Sequence, residues 1–158
     1  MILPSIKEFI EDYETIYKQA EEIFCKYNLC QWNKNIDGTF SCIVNRQNSH
    51  NSNSQLIEID GCCIIICKNP KDFNDKIINR KQHNAKNGCK IKSLKCKLHI
   101  CKYLRNSNCL DTIEAIKQID LLRNMFRLKY DVIWEGISYG SSKKICIEFY
   151  KTYKNIFK

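Results

Sequence analysis

The chain has 158 residues, 11 cysteines and a formal net charge of +9. That length suits one ordinary domain with its own core, and a composition 44% hydrophobic and 27% charged excludes a low-complexity disordered chain. Ile, Lys and Asn are all abundant and share AT-rich codons, so the total charge alone is weak evidence for a nucleic-acid partner, whereas the cysteines require a chemical reason.

The first segment starts without the basic and apolar regions of a secretory signal, and no apolar run approaches the roughly 18 residues that cross a bilayer. The expectation is a cytoplasmic protein with no membrane partner. In reducing cytosol, dense cysteines read as metal ligands or catalytic thiols before they read as disulfides.

Ile6, Phe9, Ile10, Tyr13, Ile16, Tyr17, Ala20, Ile23 and Phe24 recur at three- and four-residue spacing among acidic residues, which predicts an amphipathic helix with its apolar stripe in the core. After it the pattern breaks. Residues 38–44 read as a short strand after an Asp-Gly turn, and residues 56–59 and 61–67 as further strands, giving an antiparallel hairpin that presents cysteines. Residues 68–88 form a connection with one helical turn near 73–78.

Residues 93–104 predict a short helix with Ser93 as N-cap. Residues 111–128 predict a longer one, with Ala115, Ile119, Leu122 and Phe126 on one face. The β-branched and aromatic run at 130–134 reads as extended chain. Gly136, Gly140, Ser141 and Ser142 then mark a break before a last helix, whose face is Cys146, Phe149, Tyr150, Tyr153 and Phe157. The expected fold class is α+β, with helices at both termini packed around a small antiparallel cysteine-bearing hairpin and residues 1–158 forming a single cysteine-rich domain.

Six cysteines crowd the middle of the chain: Cys62, Cys63, Cys67, Cys89, Cys96 and Cys101. Thiolates are soft ligands that suit zinc or iron, so these six are the candidate metal ligands, with structural zinc as the expected cofactor and an iron–sulfur cluster as the alternative. None of the intervals is a C-x2-C knuckle. If 93–104 were one continuous helix, Cys96 and Cys101 would point about 140° apart and could not share an ion, so either the helix breaks between them or one of them packs in the core. His99, three residues after Cys96, could ligate beside it. Cys25, Cys30 and Cys42 are either a second site or buried thiols, Cys109 has no evident partner, and Cys146 belongs to a core face.

The adjacent pair Cys62 and Cys63, the run Gly88, Cys89, Lys90 and Ile91, and then Cys96 and Cys101 before an apolar helical region resemble the small bacterial YkgJ-type cysteine-cluster proteins. That likeness covers residues 62–101. It implies zinc or iron chelation by Cys62, Cys63, Cys89, Cys96 and Cys101. The Arg-Pro that this family carries before its later cysteine is replaced here by Ser93, Leu94 and Lys95.

Between residues 76 and 108 there is no acidic residue. Lys76, Arg80, Lys81, Lys86, Lys90, Lys92, Lys95, Lys97, Lys102 and Arg105 fall within it, with His83, His99 and Tyr103 interleaved. A contiguous basic face would bind a nucleic acid through counterion release, or an acidic protein surface through complementarity. The same cations could instead be a solvated face, or could balance thiolates and the acidic first helix.

Phosphate loops, nucleophile elbows and paired metalloprotease histidines are missing from the sequence, so binding is expected over catalysis. Three roles remain open: a basic metal-binding protein that holds a nucleic acid or other polyanion, a phage or mobile-element accessory protein that blocks a host nucleic-acid enzyme such as an RNA-guided nuclease, and an iron–sulfur redox protein.

Overall fold

The computed structural model describes residues 3–30, 33–34, 40–41, 93–138 and 141–156. Their elements are α1 (Ile6–Lys26), β1 (Asn33–Lys34), β2 (Phe40–Ser41), α2 (Leu94–Lys97), α3 (Lys102–Arg105), α4 (Leu110–Gly136) and α5 (Lys143–Ile156).

Both ends of α1 are specified locally. Ser5 Oγ accepts the Glu8 N–H at 3.1 Å, as an N-cap should. At the other end Asn28 takes the left-handed conformation, φ 44°, while its N–H reaches Cys25 O and the Leu29 N–H reaches Phe24 O, both at 3.3 Å. Those two bonds are the paired closure of a Schellman motif, and Asn tolerates the left-handed position better than most residues.

α1 lies against α4 and α5 through an aromatic core. Phe9 has no exposed surface; its ring stacks on Tyr150 at 4.4 Å and meets Tyr130 edge-on at 5.0 Å. Around these rings, Ala115, Ile119, Leu122, Phe126, Tyr130 and Ile133 continue a three- and four-residue spacing that buries one side of α4 along its length. Gly136 ends that helix where the Phe149 ring of α5 passes, and a Cβ there would lie 2.2 Å from the ring's Cζ.

The expected α+β class is corrected to a helical fold for the described residues. Their strand pairing is a two-residue antiparallel ladder, Asn33 with Ser41 and Lys34 with Phe40; it is too short to form a layer, and it contains no cysteine. The expected strands at 56–59 and 61–67, the helical turn near 73–78, and Gly140 and Phe157 lie outside the described residues.

Residues 130–134 are also corrected. They are helical: α4 continues through them to Gly136 with a kink at Tyr130, φ −135° and ψ 39°. Packing overrides local propensity here, because burying Tyr130, Ile133 and Trp134 on the side that carries Phe126 requires the helical spacing. Asp12 fixes the kink by accepting from Tyr130 Oη at 2.7 Å and from Lys129 Nζ at 2.8 Å. Burial works to raise the Asp12 carboxyl, but the hydrogen bonds from Lys129 and Tyr130 outweigh it and hold the group below its ordinary range. No helix among the described residues is long and apolar enough to cross a membrane.

Candidate functional site

Residues 93–105 are laid along α1 in the same direction as that helix. The buried Leu94 N–H donates to Tyr13 Oη at 3.0 Å. One turn later, Lys97 Nζ lies 3.6 Å from Glu21 and above the rings of Tyr17 and Phe24. Tyr103 and Leu104 then share a cleft with Tyr27, Asn28 and Leu29 at the end of α1.

Ser93 is the N-cap of α2, its Oγ accepting from the Cys96 N–H at 3.4 Å. The helix stops after one turn, and α3 begins at Lys102. Cys96 is half-buried on α2, whereas Cys101 is buried just before α3, so the opposed directions of a continuous helix do not apply to this pair. The half-buried His99 turns its N–H back to Cys96 O at 3.2 Å. Among the described residues, no three Cys, His, Asp or Glu side chains cluster as metal ligands. Cys62, Cys63, Cys67 and Cys89 lie outside them, as does Cys42.

The basic residues divide in the same way. Lys76, Arg80, Lys81, Lys86, Lys90 and Lys92 lie outside the described residues. Lys95 is buried, 8% exposed, and its Nζ donates to Trp134 O at 2.6 Å and Ile137 O at 2.9 Å, at the carbonyl end of α4. Burial pulls that amine below the ordinary lysine range. Arg105 grips Asp120 with both terminal nitrogens, at 3.1 and 2.9 Å, and Lys97 pairs with Glu21. Lys102 opens α3.

Every carboxylate of α1 has a cation beside it. Lys129 serves Glu8 and Asp12, Lys143 serves Glu14, Lys97 serves Glu21, and Lys7 and Lys18 serve Glu11 and Glu22 one helical turn away.

Cys146 belongs to the core. It is 1% exposed near Tyr13, and burial pushes its thiol up to about 11. Cys146→Ala should cost about 1 kcal/mol in denaturant unfolding and leave any metal bound per chain unchanged. A matching loss of metal in elemental analysis would make it a ligand.

The sequence reading missed the cleft at the end of α1, of about 560 Å³. Its walls are Tyr27 and Asn28, then Tyr103 and Asn106, then Cys109 and Asp111 at the start of α4. Cys109 is exposed, and the amide and hydroxyl of Thr112, with the Asp111 amide, hold its thiol below the ordinary range. Only the interleaved Tyr103 hinted at this site, because the other residues converge from three separate segments. Comparison with protein-family models, with curated proteins and with solved structures gave no match.

Proposed function

We propose that this protein is a small basic module, stabilised by a structural metal and acting in a reducing compartment, whose function is to bind a nucleic-acid strand. The observation that carries the reading is the charge balance of α1. Its carboxylates are served by Lys7, Lys18, Lys97, Lys129 and Lys143, so Lys76, Arg80, Lys81, Lys86, Lys90 and Lys92 are not needed to neutralise it. The six cations at 76–92, in a run without an acid, suit an external polyanion.

Zinc held by thiolates among Cys62, Cys63, Cys67, Cys89, Cys96 and Cys101 would give that stretch a fixed shape, as the YkgJ-type resemblance also implies. The break between α2 and α3 supports this part, since it frees Cys96 and Cys101 from opposed helix faces.

Reversing Lys81, Lys86 and Lys92 to Glu should weaken binding to single-stranded RNA or DNA by at least tenfold and leave the melting temperature unchanged, because on this reading they form a solvent-facing binding surface, and such lysines contribute little to stability. For wild type, log K should fall linearly with log salt, by about 0.7 per phosphate contact on a single strand. Tight binding that survives nuclease treatment of a host lysate, or that ignores salt, would replace the nucleic acid by a protein partner.

A further inference from the structure

Three short segments meet to form the cleft. Leu29 and Leu104, 3% and 6% exposed, pack into the core beneath it, so its floor is apolar. Above them the cleft is lined by Tyr103, 39% exposed, and by Asn28 and Asn106. The volume of about 560 Å³ lies within the range of small-molecule sites.

Asp111 decides what chemistry fits. Asp111 lines the cleft, and a carboxylate there repels a phosphate, although the start of a long helix otherwise favours anions. The same carboxylate accepts hydrogen bonds from exocyclic amino and ring imino groups, and an asparagine amide both donates and accepts. A flat aromatic surface beside such a set of donors and acceptors matches a heteroaromatic ring with polar edges. Beside Tyr27, which lines the cleft, Lys26 Nζ lies 4.7 Å from the centroid of the Tyr27 ring.

We propose that this cleft receives one unpaired nucleobase of a single-stranded nucleic acid, stacked on Tyr103, with its edge read by Asn28, Asn106 and Asp111. The inference rests on the nucleic-acid reading above and adds to it the place where the strand is gripped. A duplex is excluded as ligand, because its bases are stacked and their pairing edges are occupied.

The test uses the full chain with its metal and a labelled single-stranded RNA of mixed sequence. By fluorescence anisotropy, Tyr103→Ala should weaken binding about 5- to 150-fold, the range that loss of one base–aromatic stack produces. Tyr103→Phe should stay within about twofold of wild type. On the unmodified protein, saturating RNA should slow iodoacetamide alkylation of Cys109 several-fold, read by peptide mass spectrometry, and leave the exposed Cys25 of α1 unchanged. That second readout needs no variant to fold. RNA binding with Cys109 unprotected and Tyr103→Ala equal to wild type would overturn the cleft and leave the basic segment as the binding element. Duplex binding as tight as single-strand binding would overturn it as well, and failure to bind any nucleic acid would remove both readings.

Discussion

Phe9→Ala should lower unfolding free energy by about 3–5 kcal/mol, the usual cost of deleting a fully buried aromatic ring. Domains of this size are stable by only about 5–15 kcal/mol, so the variant should lose a large share of its stability. The magnitude follows from its neighbours: Phe9 stacks on Tyr150, meets Tyr130 edge-on and lies 6.2 Å from Phe126, so one deletion opens a void shared by α1, α4 and α5. Leu128→Ala is the control. That leucine is 88% exposed on α4, and its loss should change stability by no more than about 0.5 kcal/mol. Urea titration followed by circular dichroism measures both, and equal shifts for the two variants would mean that the aromatic core is misplaced.

Replacing Cys62 or Cys89 by Ser should release metal and lower the melting temperature together. A structural zinc site contributes roughly 10–16 kcal/mol of apparent binding free energy near neutral pH, and all of it acts on folding when the unfolded chain holds no preformed site. Removing one thiolate forfeits a large part of that. Elemental analysis of anaerobically purified protein, paired with thermal melts, reads both effects. An absorption spectrum separates colourless zinc from an iron–sulfur cluster, which absorbs in the visible. Metal-free wild type with an unchanged melt would end the metal reading.

The sequence announced the terminal helices because their packing is periodic. Phe9, Tyr13, Ile16 and Ala20 are the buried residues of α1, all four belong to the stripe that the spacing singled out, and Ser93 caps α2 as its chemistry suggests. What failed was the reading of Tyr130, Val132, Ile133 and Trp134 as extended, since their intrinsic preference favours a strand while their burial pattern follows the helix before them. Side-chain destinations were harder still. Nothing local distinguishes Lys95, buried against Trp134 and Ile137 carbonyls, from Lys97, paired with Glu21, or either of them from a lysine facing solvent. The cleft could not be read because Asn28, Asn106 and Asp111 become neighbours only after folding.

The order in which α1 meets its partners bears on how the protein is made. Asp12 binds Lys129 across a separation of 117 residues, and Tyr150 Oη donates to Pro4 O across 146. At synthesis rates of about 5–20 residues per second, α1 waits roughly 6 to 30 seconds after leaving the ribosome before α4 and α5 exist to cover Phe9. The part of its apolar stripe around Phe9 is therefore a nascent-chain hazard, without its α4 and α5 partners throughout that interval. The described helices should accordingly assemble more slowly than bundles whose helices pack against their sequence neighbours, because these contacts close loops of more than 100 residues.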